Sequence, residues 1–473
     1  MNKTYASLMV AATLITSSVF SNGINPIKRE DKKPATTFSG AKGEVKLITL
    51  DPGHFHAALV QKNMYDQVSP EVFVYALKGS DLDEHLKKIE GYNTRAENPT
   101  AWKENVYTGT DYLEKMLAEK KGNVVVLAGN NRIKTDYIMK SVKAGFNVLA
   151  DKPMVTSPEK FAELEEAFKV AKENGVLLYD IMTERHEIST ILQKELSHVP
   201  SLFGKLQTGS AEHPAIEKVS VHFFYKNVSG NPLIRPAWFF DVDQQGEGII
   251  DVTTHLVDLV QWCCFPNKII QKSDIEMLSA KRWPTIISKD EFQEVTKLSE
   301  FPDYLKKDIK DGKLLAYSNG EMVYKLKGVY VKVVAEWKYK APEGTGDTYF
   351  STLCGSLCKL EIRQGKEENY IPMLYVTANK ETDITSFTQN LEQAITGQNK
   401  LHPGLTLDKI NETTWRVNIP KKYRVGHEAH FGQVTEQFLG YLKAGKLPEW
   451  EVPNMIAKYY TTTSALKLAK KNK

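Results

Sequence analysis

Cysteine is scarce in this chain: four among 473 residues, as the vicinal pair Cys263 and Cys264 and the pair Cys354 and Cys358. Neither pair has a second ligand pair at zinc-binding spacing, and adjacent cysteines in a helix rarely bridge. Both facts argue against a zinc centre and a disulfide framework. The four read as small buried apolar residues. An excess of one charge is also missing, since the net charge is +4 with 25% charged residues. Lysines are interspersed with Asp and Glu, and the basic tail KLAKKNK reads as a solvated helix end, so there is no nucleic-acid footprint. The N-terminal run ASLMVAATLITSSVF is too short to span a bilayer and has the length of an export-signal core, with Val19 and Ser21 as small residues before a cleavage site. It predicts a signal over residues 1–21 and a periplasmic mature chain without a membrane span; lacking that signal, the chain would be cytoplasmic. No cysteine near the run suggests a lipid anchor, and no twin arginine precedes it. Residues 22–43, rich in Pro, Gly and Lys, read as a linker.

What is present is a change of texture along the chain. From residue 44, the short apolar runs EVKLITL, EVFVYAL, NVVVLAG, FNVLA and GVLLYDI alternate with segments of helical spacing such as TDYIMKSVKAG and SPEKFAELEEAFKVAKENG. Strands alternating with helices imply a doubly wound parallel sheet, which binds ligands at the carboxyl ends of its strands. After residue 190, runs such as EKVSVHFFYK and GEMVYKLKGVYVKVVAEWKYK alternate in character and predict a large, mainly antiparallel sheet. The expected class is therefore α/β: a Rossmann-type domain over 44–190 and an α+β domain over 191–473 for substrate binding and oligomerisation. The open sheet face of that second domain suits a homo-oligomer.

The first strand runs into Asp51, Pro52, Gly53, His54, Phe55 and His56, where a dinucleotide fold carries GxGxxG. Only the middle glycine is kept, the one that permits close approach to phosphate. Near the end of the next strand, Asp81 would accept from ribose hydroxyls and favour NAD, whereas Lys78 with Ser80 would hold the 2′-phosphate of NADP.

Two further stretches carry chemistry. GFNVLADKPM ends a strand in Asp151 and Lys152, with Ser157 as the expected cap of the next helix. GEGIIDVTTHLVDLVQW, residues 246–262, sets Asp251, His255, Asp258 and Trp262 on one expected helical face, and Val252, Leu256, Leu259 and Cys263 on a core face a quarter-turn away. Taken alone, Asp251 and His255 also fit a helix-surface ion pair. The first stretch resembles the EKP motif of the Gfo/Idh/MocA family of sugar oxidoreductases, with Asp151 in place of Glu. The preceding Gly129, Asn130 and Asn131 resemble the family's TPN turn, with Lys134 where His is common. The second stretch resembles the family's GGGxxxDxxxHxxD helix.

The resemblance implies that Lys152, Asp251 and His255 are catalytic and that NAD or NADP is bound. On it, Pro52, Gly53, His54, Phe55, Ser80, Gly129, Asn130, Asn131, Asp151 and Lys152 contact the cofactor. A neutral imidazole suits removal of a hydroxyl proton near neutral pH, so His255 is the expected base. Asp251 is expected to orient the ring or stabilise its cation, and Lys152 to stabilise charge on the substrate oxygen. Arg185 and His186, at a strand end, and Arg235 with Trp238 are candidate contacts to a sugar, with ordinary packing as the alternative. His54 and His56 are read as structural or cofactor-adjacent, because no acid completes a metal set in the sequence. Three functions follow as expectations: net oxidation of a sugar or glycoside hydroxyl, redox-neutral glycoside cleavage through a transient 3-keto intermediate, and a non-catalytic dinucleotide- or sugar-binding relative.

Overall fold

The computed structural model describes residues 37–228 and 231–471; the expected export signal and the first part of the linker lie outside them. The first sheet has β1 (Leu47–Leu50), β2 (Glu71–Tyr75), β3 (Lys103–Tyr107), β4 (Val124–Leu127), β5 (Asn147–Asp151) and β6 (Leu178–Ile181), all parallel and ordered β3-β2-β1-β4-β5-β6. Its helices are α1 (His56–Leu59), α2 (Ser80–Thr94), α3 (Tyr112–Glu119), α4 (Asn131–Lys143) and α5 (Phe161–Asn174). Every residue of β1, β4, β5 and β6 is buried, as strands covered on both faces require. The edge strand β3, KENVY, escapes the apolar-run reading because it is half charged and largely exposed, a composition that suits an unpaired edge. Ser157 precedes a short 3₁₀ turn at Pro158–Lys160 and makes no side-chain capping bond, contrary to expectation.

After α6 (Ile188–Ser197) and α7 (Pro200–Phe203) the chain enters the second sheet at β7 (Ile216–Tyr225). A small hairpin, β8 (Asn227–Val228) with β9 (Asn231–Pro232), and α8 (Val242–Gln245) lead to α9 (Thr253–Cys264). Then come β10 (Ile275–Ile287), α10 (Lys289–Thr296), β11 (Ile309–Lys310), β12 (Lys313–Leu326), β13 (Val329–Lys340), β14 (Thr348–Cys354), β15 (Cys358–Gln364) and β16 (Met373–Ala378). The chain ends with α11 (Ile384–Gln398), β17 (Thr406–Lys409), β18 (Thr414–Asn418), α12 (His427–Ala444) and α13 (Glu451–Lys471). The ten-stranded sheet is ordered β10-β12-β13-β7-β14-β15-β16-β18-β17, with β11 on β12. It is antiparallel except where β7 lies parallel to β13. Helix α9 buries Leu256, Val257, Val260 and Cys263 in the core under this sheet. Among the described residues, no helix is long and apolar enough to cross a membrane.

The last two helices return to the first sheet. Phe431, Val434 and Phe438 of α12 and Met455 and Tyr459 of α13 join its core, while Ala457, Ala465 and Leu466 of α13 join the core of the second. The tail is therefore only partly a solvated end, and Lys470 reaches Glu247 at 3.2 Å.

A buried ionic network fastens these pieces. Arg185, in the turn after β6, donates to both oxygens of Asp258 on α9 at 2.7 Å and to Glu451 of α13 at 2.7 Å. Lys458 of α13 donates to Asp258 at 2.9 Å and contacts Asp180 of β6 at 2.7 Å; its side chain has no exposed surface. Burial alone would raise the Asp258 carboxyl, but Arg185 and Lys458 outweigh it and hold it below the usual range.

Replacing Asp258 by Ala leaves two buried cations short of a partner and is expected to cost about 3–5 kcal/mol in denaturant unfolding. A depressed carboxylate contributes stability above its unfolded pKa of about 3.9 and loses it as pH falls through the folded value. The gap between wild type and variant should thus persist at neutral pH and close only in strong acid.

Candidate active site

The site lies where β1 and β4 diverge, the switch point of the first sheet, and is closed by elements of the second domain. β1 ends in Asp51, whose φ of 50° is the left-handed conformation that explains why a glycine is usual there; Asp tolerates it better than most residues. The Asp51 carboxyl accepts from Tyr137 at 3.2 Å, and burial pushes its pKa up. At Gly129, in the β4 turn, a Cβ would stand 2.1 Å from the Asp51 carbonyl, so only glycine lets the two turns meet. Gly53 packs beside Gly129, and its missing Cβ would stand 3.1 Å from the Asp81 carboxylate and 3.6 Å from the Trp238 indole. His54 N–H is spent on Ala128 at 3.1 Å, while the N–H groups of Gly53 and Phe55 have no hydrogen-bond acceptor among the described residues. With Lys78, Ser80 and Asp81 exposed beyond β2, this arrangement fits a dinucleotide: two free amides at a glycine gap for pyrophosphate, and a polar strand end for ribose.

Just past the tip of β5, Lys152 is held through a chain of buried partners. Asp151 accepts from its neighbour's amide, Lys152 N, at 3.0 Å, and its other oxygen faces His56 Nδ1 at 2.8 Å. Buried Lys134 donates to the Asp151 carbonyl at 2.9 Å and to Asn131 Oδ1; burial brings its pKa down to about 8. Asn131 donates to the Gln245 carbonyl at 2.7 Å, and Asn130, which also caps α4, donates to Gln244 at 2.9 Å. The two asparagines thus clamp α8 of the second domain against the first. Gln245 in turn donates to Asp251 Oδ2 at 3.0 Å, and Lys152 Nζ donates to Asp251 Oδ1 at 2.6 Å.

Asp251 is not part of the helix expected from residue 246. It sits in a turn ahead of α9, with its N–H bonded to Glu247 O at 2.9 Å. At Gly248 in that turn a Cβ would fall 1.7 Å from the Ser318 carbonyl, so the turn packs on β12 only because no side chain is there. The two Asp251 oxygens serve Lys152 and Gln245. His255 is half-buried, its Nδ1 is buried with no hydrogen-bond partner, and burial, with Lys152 and His427 adding to it, drives its pKa well below 6.5.

The remaining expected residues divide. Arg185 is fully engaged by Asp258 and Glu451. His186 is half-buried, with its pKa lowered to about 4 by burial and by Arg185. Arg235 is buried, donates to the carbonyls of Phe224 and Phe223 at 2.8 and 3.1 Å, and lies over the rings of Phe239 and Trp337. Trp238 reaches the Gly53 turn. An acid does join His54 and His56, contrary to the expectation: Asp151, 95 residues beyond His56, brings all three side chains' donor atoms within 4.8 Å of one another. His54 Nδ1 accepts from His56 N at 3.3 Å, and His56 Nδ1 pairs with Asp151. Sequence reading passed over Gln245, His427 and Glu184. Glu184 follows β6 at the cleft end of the sheet, which was the available signal; burial pushes its pKa up to about 7, helped by Glu187 and opposed by Lys152.

Comparison with known proteins bears on this arrangement. Residues 77–180 match the family model "Oxidoreductase family, NAD-binding Rossmann fold", and residues 192–470 match "Putative oxidoreductase C terminal domain". The first match begins after the β1 turn, whose glycines are mostly replaced. A crystal structure of a "putative oxidoreductase" from Parabacteroides merdae is 59% identical, with a TM-score of 0.91, covering 93% of this chain and all of that one. More distant folds include a levoglucosan dehydrogenase in complex with NADH and levoglucosan, at 10% identity and a TM-score of 0.56, covering 91% of this chain and 98% of that one. A variant 3-ketoreductase from Actinomadura kijaniata, in complex with TDP-benzene and NADP, gives 12% identity and a TM-score of 0.53, covering 90% and 97%. No curated protein sequence matches.

Replacing Asp251 by Ala removes the counter-charge of a lysine whose side chain is 13% exposed. Turnover is expected to fall by about 10²–10³, with NADH affinity by fluorescence titration little changed. With both family models matched in order, and with a NAD-type fold and a relative of 59% identity, this chain belongs to the Gfo/Idh/MocA family of NAD(P)-binding oxidoreductases.

Proposed function

We propose that this chain oxidises a hydroxyl of a sugar or glycoside, with Lys152, Asp251 and His255 as its reactive groups. The observation that carries the reading is the 2.6 Å contact of Lys152 Nζ with Asp251, which joins the tip of a parallel strand to the other domain beside an unpaired imidazole. A fold neighbour bound to NADH and levoglucosan, an anhydrosugar, supports a sugar over other alcohols. NAD(P), when bound, accepts the hydride. His255, neutral because burial disfavours its cation, takes the hydroxyl proton. Lys152 donates to the same oxygen and stabilises negative charge as it develops, while Asp251 keeps the ammonium aimed. Asn130, Asn131 and Gln245 hold the two domains in the register that this needs.

A second reading, redox-neutral cleavage of a glycoside through a 3-keto intermediate, is favoured by the surplus of proton-transfer groups. Glu184, with a pKa near 7, and the His56–Asp151 pair exceed what a single alcohol oxidation uses. The N-terminal apolar run supports export to the periplasm in either case, and N-terminal sequencing of the secreted chain tests it.

Purified protein mixed with NAD(P) and a panel of sugars and nitrophenyl glycosides separates these readings. Accumulating NADH supports net oxidation; released nitrophenol without NADH supports the redox-neutral route; neither product from any sugar sinks both. Because the His255 pKa is depressed, its base form persists into mild acid, so the acidic limb of kcat/KM should lie below pH 6.5. His255→Ala should remove that limb along with most of the rate; a limb that stays in place counts against this assignment.

A further inference from the structure

The sheet of the second domain carries a polar line that the oxidation of one hydroxyl does not use. On β7, Ser220 and His222 alternate onto the same face as buried Lys218 and Phe224. Ser220 Oγ lies 2.6 Å from His222 Nε2, and His222 Nδ1 lies 3.2 Å from Asp347 Oδ2. Lys226 Nζ lies 2.5 Å from that same oxygen, while Asp347 Oδ1 is buried without a partner. His222 and Lys226 outweigh the effect of burial on Asp347 and hold its carboxyl below the usual range.

A serine, a histidine and an aspartate in hydrogen-bond sequence suggest acyl transfer, yet the surroundings deny it. Ser220 faces Ala335 on one neighbouring strand and Tyr349 on the other, so the strand amides around it serve the ladders and no oxyanion donors are left. What remains is recognition. The side chains of His222, Asp347 and Lys226 are 25%, 26% and 21% exposed, open enough to meet a ligand and fixed enough to select one.

Shared neighbours link these groups to the lysine–carboxylate pair. Asp251, Phe224 and Trp337 line one small cavity, and His222 stacks on that indole at 5.0 Å. Arg235 lies over Trp337 at 4.9 Å, and both Asp251 and Asp347 act on its guanidinium. Across from Lys226 stands His427, exposed at the start of α12, and the two are close enough for Lys226 to disfavour its cation. The line thus forms a second polar station, joined to Asp251 through the Trp337 indole.

We propose that His222, Asp347 and Lys226, with His427 opposite, form a distal subsite for the hydroxyl-rich unit attached to the oxidised ring, making the substrate a glycoside of at least two units. This rests on the sugar-oxidising reading above. The partly exposed Asp347 carboxylate and the Lys226 ammonium would accept from and donate to neighbouring hydroxyls, and a monosaccharide held at Lys152 would leave that station unfilled.

The test compares cellobiose and maltose with glucose by NADH formation, in wild type, Asp347→Asn and Lys226→Met, with circular-dichroism melting as the folding control. Loss of the subsite should lower the disaccharide-to-glucose ratio of kcat/KM at least about tenfold, through KM. A ratio that stays constant, or equal losses on both sugars, overturns the proposal. Should the wild type reduce NAD(P) with none of these sugars, the oxidation reading fails by itself, and saturation-transfer NMR with cellobiose decides the subsite. Binding that disappears in Asp347→Asn then supports it, and no binding to wild type overturns it.

Discussion

The position of α9 is set by charges that water does not reach. Arg185, Asp258, Lys458, Asp180 and Glu451 come from a strand, its following turn and two helices, and they meet where the two sheets adjoin. Such a network is weak evidence for stability, since an apolar replacement of the same volume could do as well. Its value lies in geometry. Paired planar and point charges at 2.7–2.9 Å accept one arrangement of α9 against β6, whereas an apolar contact would tolerate sliding. His255 stands less than one turn before Asp258, so fixing the carboxylate fixes the imidazole.

The second constraint acts at the other end of α9. A run of hydrogen bonds from Lys134 through Asn131 and Gln245 to Asp251 ties the β4 turn, α8 and the turn before α9 into one unit. Lys152 then finds Asp251 already aimed. A buried lysine and carboxylate cost desolvation, which the pair's own contact and the Gln245 amide offset. The low His255 pKa follows from the same crowding, since burial and cations on neighbouring elements all disfavour its charged form.

Much of this was legible in the sequence where a local pattern suffices. Apolar runs of four or five residues marked five of the six parallel strands, and the Asp-Lys-Pro and Asp-x-x-x-His spacings marked Lys152, Asp251 and His255. β3 escaped because an edge strand need not be apolar. Helical spacing suggested His255 as the partner of Asp251, and the pairing of its oxygens with Lys152 and Gln245 left no mark in a segment that Gly248 turns onto β12. Arg185 looked like a cleft residue from its place after β6, and only the fold reveals the two carboxylates, 73 and 266 residues away, that engage it.

By itself the sequence determined the alternation of strands and helices, the glycine-poor dinucleotide turn and the chemical types at the reactive positions. These depend on neighbours within a few residues, where side-chain periodicity and backbone preference act directly. Tertiary structure decided the partners: Asp151 for His56, Asp251 for Lys152, Asp347 for His222. Hydrogen bonds and charges act over a few ångströms in space, and chain separations of 95, 99 and 125 residues leave no local trace of them.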